Sequence, residues 1–259
     1  MTAVHDRPAA LLEPARPPLA RLVAVELRKM VDTRAGRWML VLIGLTAVAM
    51  VPVVLFAEDK DEQSLGSFFI GSQTGVNLLL PVLGILSVTS EWSQRTALAT
   101  FTLVPERGRV LAAKLLGGAC LAAGFAAVGV VVAFLGRVTG ATLGRSGGSW
   151  SPPPQLLGGT LLYGFVVVAM GVAYGMLFMN SPLAIVLYFL LPTLWSTLGP
   201  MVEKLEGPAG WFDTNKTLAT LMDPGVTLNE WARIATSLAV WLVLPLVFGA
   251  MRLARREVK

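Results

Sequence analysis

Between Trp38 and Met251 the chain alternates long apolar stretches with short polar ones. Trp38–Ala57 is the plainest, twenty residues without a charged side chain. As a helix they rise about 30 Å, the thickness of a bilayer's hydrocarbon core. Five further stretches follow: Ser67–Thr89, Leu115–Gly136, Leu156–Met179, Leu183–Val202 and Ile234–Met251. The pattern predicts an all-α integral membrane protein with six transmembrane helices. Asn180, Ser181 and Pro182 are all that separates the fourth span from the fifth, so these two are antiparallel neighbours.

The stretch before the first span has a different period. Apolar Leu19, Leu22, Val23, Leu27, Met30 and Val31 fall on one helical stripe, opposite Arg21, Arg28, Lys29 and Asp32. A basic amphipathic helix beside a span lies in the membrane interface; the plainer reading is a charged flank that only sets orientation. Residues 203–233 mix Trp211, Phe212, Leu218, Leu221 and Met222 with Asp213, Lys216 and Asp223. They predict short helices on, or dipping into, the outer leaflet. Residues 1–18 carry four prolines and Asp6, Arg7, Glu13 and Arg16, with no apolar core of a signal peptide. They read as a disordered cytoplasmic tail, and residues 19–259 as one six-span domain.

Composition agrees. The 259 residues are 54% hydrophobic and 14% charged, against about 25% charged in soluble domains. The net charge of +5 raises the possibility of nucleic acid, but the charge gathers at span ends rather than on one patch. With both termini inside, fifteen of the 21 Lys and Arg lie on the inner side and six on the outer, as the positive-inside rule requires. Arginine outnumbers lysine fifteen to six, a bias of GC-rich bacterial genomes, so the expected location is a bacterial plasma membrane. Cys120 is the only cysteine and His5 the only histidine. That leaves no intrachain disulfide, no His/Cys metal site and no Ser-His-Asp set.

Two features carry candidate chemistry. In the second span Ser67, Gly71, Thr74, Asn77, Pro81 and Gly84 recur every three or four residues, with Gln73 beside them. Such a stripe serves helix packing, or lines a dimer interface or substrate path; Tyr163, Tyr174 and Tyr188 in later spans add polar lining. None of the six spans holds an Asp, Glu, Lys, Arg or His, whereas ion-coupled carriers usually keep such groups as relays. The second feature is Ser90–Lys114, a charged segment between the second and third spans on the inner side. Glu91 and Arg95 sit four apart and suit a helical pair, on a solvated face or against a partner.

Here the sequence resembles the integral permeases of ABC-2 type ABC exporters, a bacterial exporter family. The likeness rests on ELRKMVDTRAGRW before the first hairpin. It rests also on Ser90-Glu91-Trp92 followed by Thr96, Leu103, Pro105, Arg107 or Arg109, and Lys114. It runs over residues 19–259 and includes the long outer segment and the basic tail. The interval before Pro105 is longer than usual. The resemblance implies a half-transporter in which two permease subunits, the same or sister chains, each dock on a separate ATPase subunit. It implies a coupling helix after the second span that contacts the ATPase through Glu91, Trp92, Arg95, Thr96, Pro105, Arg107 and Arg109. The interfacial helix would contact it through Glu26, Arg28, Lys29 and Asp32. ATP and Mg would sit on the partner, because this chain has no nucleotide-binding sequence; its Gly-rich GRSGG lacks the G-x-x-x-x-G-K-[ST] pattern. Two alternatives stand beside this reading: a non-transporting membrane scaffold or sensor with the same fold, and an ion-coupled carrier.

Overall fold

The computed structural model describes residues 16–94, 96–202 and 206–255. Residues 1–15 of the expected tail, Arg95, residues 203–205 of the expected outer segment and residues 256–259 lie outside that set. The described elements are all helical. Six helices are long and apolar enough to cross a membrane: Arg34–Ala57, Leu65–Ser93, Arg107–Thr142, Pro154–Phe178, Ser181–Met201 and Leu228–Arg255. Each coincides with one of the expected spans; Met179 and Val202, expected as the last residues of the fourth and fifth spans, lie one residue beyond those helices.

An amphipathic helix, α1 (Leu19–Asp32), comes first. Thr33 breaks it by turning extended, and the Thr33 hydroxyl then caps α2 (Arg34–Ala57) by accepting from the Gly36 N–H at 3.0 Å. The corner is tight enough that a side chain on Gly36 would overlap the Met30 carbonyl. One face of α2, with Trp38, Leu45, Val48 and Phe56, is exposed, as a lipid-facing surface must be.

The centre of the bundle is α3 (Leu65–Ser93) against α6 (Pro154–Phe178). Around them pack α2, α5 (Arg107–Thr142), α7 (Ser181–Leu198) and α11 (Leu244–Arg255). Small residues explain the closeness: Gly75 of α3 takes the Thr46 side chain of α2, and Gly118 of α5 takes Val168 of α6. The α6–α7 turn is the short one expected. Met179 closes α6 in the left-handed conformation (φ 51°), and the Asn180 side chain caps α7 by accepting from Leu183 N–H at 3.0 Å.

At the far end lie α8 (Glu206–Phe212), α9 (Thr214–Ala219) and α10 (Leu228–Leu238). A π-helical turn over Ala239–Val243 joins α10 to α11, so the last span is one long helix. Its start is earlier than the expected Ile234, because Thr227 and Glu230 form a capping box.

The segment Ser90–Lys114 also differs from expectation. Ser90–Ser93 complete α3, and Arg107–Lys114 are the first two turns of α5. Between them lies only the short helix α4 (Ala97–Leu103). Arg137, expected in an outer loop, is likewise in α5. It is buried, stacked at 4.3 Å on Trp150, and donates to the Gly148 carbonyl at 2.6 Å.

Candidate functional site

Four charged side chains meet at the end of the bundle where α1, α3 and α5 converge. Lys114 Nζ lies 2.5 Å from Glu26 Oε2 and 3.0 Å from Glu91 Oε1. Lys29 Nζ lies 2.7 Å from Glu26 Oε1 and 2.8 Å from Glu91 Oε1. The charges alternate around a ring, and Lys114 also donates to the Ser87 carbonyl at 2.8 Å. Glu26, Glu91 and Lys114 are buried, and Lys29 is half-buried. Burial alone would pull the Lys29 ammonium down; hydrogen bonds to Glu26 and Glu91 outweigh it and hold the group above its ordinary value. A buried charge is tolerable only when paired and hydrogen-bonded, and here every member has two opposite partners.

Several of the residues expected to meet a partner also make contacts within the chain. Glu91 and Glu26 turn their carboxylates inward, where Lys114 and Lys29 neutralise them. Trp92 is half-buried and packs against the apolar core cluster that includes Leu83, Val88 and Leu253. Arg107 donates to the Leu253 carbonyl and so ties α5 to the C-terminal helix. Arg109 donates to the Pro17 carbonyl at 2.6 Å and lies 3.7 Å from Glu106. Arg28 and Asp32 remain on the surface as an i,i+4 pair at 2.8 Å. Thr96 and Pro105, at the two ends of α4, are exposed. Leu98 and Leu103 of α4 are exposed too. A groove of about 490 Å³ runs between α1 and α4, with Leu22, Val25, Leu103 and Val104 on its walls.

A second cavity, about 350 Å³, opens among α3, α6, α7 and α9. Its polar lining is Thr74, Asn77, Tyr163, Tyr188, Thr193, Thr214 and Asn215, and no charged residue lines it. Pro81 and Pro192 each lie four residues beyond a lining residue, Asn77 and Tyr188. Proline has no N–H, so both of those carbonyls lose their helical donor. The cavity therefore brings acceptors and hydroxyls into an apolar bundle without a fixed charge.

Thr74, Asn77, Tyr163 and Tyr188 thus come together as the sequence suggested. Ser67, Gly71, Gln73 and Tyr174 do not join them. Ser67 is spent on the capping box of α3, Gly71 packs on Val54 and Met50 of α2, and Gln73 is buried against α5 at Gly129. Tyr174 stands behind the cavity, its ring edge-on to Tyr188 at 5.5 Å. Sequence reading missed Thr193, Thr214 and Asn215; the shared spacing of Asn77 and Tyr188 to a proline was the available signal. Beside the cavity Asp213, buried, caps α9 by accepting from Asn215 N–H at 3.0 Å and holds the Ser196 hydroxyl at 2.9 Å.

Among the described residues no group of three or more His, Cys, Asp and Glu side chains forms a metal site. No model of a known protein family matches the chain, and no curated protein is significantly similar to it.

Proposed function

We propose that the chain is the membrane subunit of an ATP-driven exporter, moving its cargo with ATP hydrolysed, with Mg, by a separate subunit. The observation that carries this reading is the shared helix α3: its inner end is bolted to an amphipathic surface helix, and its middle lines an uncharged polar cavity. A machine that spends another protein's energy needs such a handle and such a path. The end bearing α1, α4 and the C-terminal helix is the cytoplasmic one in this reading, in a bacterial plasma membrane. The ATPase meets Arg28, Asp32 and the exposed side of α4 with Leu98, Thr96 and Pro105. A second permease subunit, the same or a sister chain, completes the transporter.

The cavity suits an uncharged cargo with apolar bulk and hydrogen-bond donors, because its walls offer acceptors and aromatic rings. The proline-freed carbonyls also suit a sodium ion, which supports a second reading as an ion-coupled carrier. Purification in mild detergent, mass spectrometry of the eluate and an ATPase assay separate the two. A stoichiometric ATP-hydrolysing subunit, lost when Leu98 and Pro105 are replaced by Asp, is the expected result. Purification without an ATPase, with transport that collapses when the ion gradient does, overturns the exporter reading.

A further inference from the structure

The cavity among α3, α6, α7 and α9 is lined by polar side chains that the chain itself leaves unpaired. Thr74, Asn77, Tyr163, Tyr188, Thr193 and Thr214 all line it. Among the described residues, none of these six side chains has a hydrogen-bond partner. Threonines elsewhere in the spans differ. The hydroxyls of Thr89, Thr160, Thr197 and Thr236 each donate to the carbonyl four residues earlier in the same helix. Tyr188 and Thr214 are only 8% and 5% exposed, yet their hydroxyl oxygens are not sealed in and so face the cavity they line. A buried polar group without a partner costs stability. Six of them around one space point to a polar occupant.

The lining also limits what that occupant can be. No charged residue lines the cavity, so a phosphate, carboxylate or ammonium would lose its hydration and gain no counter-charge. A purely apolar occupant would leave all six groups unpaired. Each of the six can both donate and accept, and so can every hydroxyl of a sugar. The rings of Tyr163, Tyr188 and Phe189 offer apolar contact to the C–H face of a sugar ring. The volume, about 350 Å³, is small for a small-molecule site, which spans roughly 300–1,000 Å³. The exposed part of the lining, Thr74, Leu78, Thr193 and Asn215, is the mouth. Ile70 and Leu78 lie on the same stripe of α3 as Thr74, Leu190 lies on that of Thr193 in α7, and all three are exposed. The mouth thus opens on an apolar, lipid-facing surface, where a hydrocarbon tail needs no pocket. We propose that the cavity binds the neutral glycosyl headgroup of a membrane lipid, with Tyr188 and Thr214 at its floor and the acyl chains leaving between α3 and α7. Asn215 adds an acceptor at the mouth. Its Nδ2 donates to Ser196 Oγ at 3.2 Å, and Asp213 holds that same hydroxyl, which leaves the Asn215 side-chain oxygen for the sugar.

This inference deepens the exporter reading by naming its cargo class; it rests on that reading for movement but not for binding. The full chain is purified in octaethylene glycol monododecyl ether, a detergent without sugar. Native mass spectrometry then measures its occupancy by three lipids of equal acyl composition: monoglucosyl diacylglycerol, glucuronosyl diacylglycerol and plain diacylglycerol. The expected result is binding of the glucosyl lipid at least about tenfold tighter than either of the others. Y188F/T214V, which removes two hydroxyls and keeps the shape, should weaken it about tenfold or more. T236V, whose hydroxyl closes on its own helix away from the cavity, should keep the parent value. N77L gives an independent reading should the double variant not fold. Equal binding of the glucuronosyl lipid or of diacylglycerol, no binding of any of the three, or unchanged occupancy in the cavity variants overturns the proposal. Equal competition by methyl glucoside, which has the ring without the tail, overturns the lipid source. A copurifying ATPase without glycolipid selectivity removes this inference and leaves the exporter reading; selectivity without an ATPase does the reverse.

Discussion

Lys114 is the residue on which the charge ring depends most, since it is the cation with almost no access to water. Removing it alone leaves two buried carboxylates to share Lys29. K114M is expected to cost about 3–5 kcal/mol, read as a lower melting temperature in detergent, whereas E26Q/K114M recovers most of the loss because charge balance returns. Lys29 adds a pH dependence. Its ammonium is held above the ordinary value of 10.5, so its contribution is complete below that value and is lost as pH rises through the higher folded one. A mobility probe on α1 should stay immobile through neutral pH and loosen only in strong alkali; loosening near neutrality would contradict the assignment. At the cavity, N77A removes one hydrogen-bonding amide worth about 1 kcal/mol. Under the proposed exporter function, transport should fall several-fold at unchanged membrane insertion.

Elements were legible to different degrees. The spans were readable because an apolar run of about 20 residues has few other uses, and α1 was readable from its 3.6-residue stripe. The small-residue stripe of α3 was readable as a feature but not by destination. Its steps average less than 3.6 residues, so from Ser67 to Gly84 it turns by about 100° around the helix. Gly71 and Gly84 therefore face different neighbours, α2 and α6, whereas Asn77 is only about 20° from Gly84 around the helix and meets the cavity because it lies two turns earlier along α3. Substituting Gly75 by Val forces a branched side chain into the place of Thr46 and should destabilise by about 1–3 kcal/mol through overpacking, lowering the melting temperature. Ser90–Lys114 was the least legible stretch. Nothing local says that helix continues through Glu91 and resumes at Arg107, because those boundaries are set by the ring that both ends enter.

At the scale of the whole molecule, one end of the bundle collects α1, α4 and the C-terminal helix, and the other collects α8, α9 and Trp150. Single cysteines at Leu103 and at Trp150 should therefore be labelled by an impermeant thiol reagent from opposite sides of sealed vesicles. Labelling of both from one side would refute the six-span topology. The sequence by itself determined how many times the chain can cross, which ends are basic and that the apolar middle of each span carries no charge. Those properties are sums over neighbours along the chain. Only the tertiary structure decided what the charged groups do. Glu26 and Lys114 are 88 residues apart, and Lys29 and Glu91 are 62 apart. An acidic or basic residue at a span end looks the same in sequence whether it meets water, a partner or its own chain. Packing α1 across α3 and α5 turned Glu26 and Glu91 away from water, and a lysine within about 3 Å of each made that burial possible.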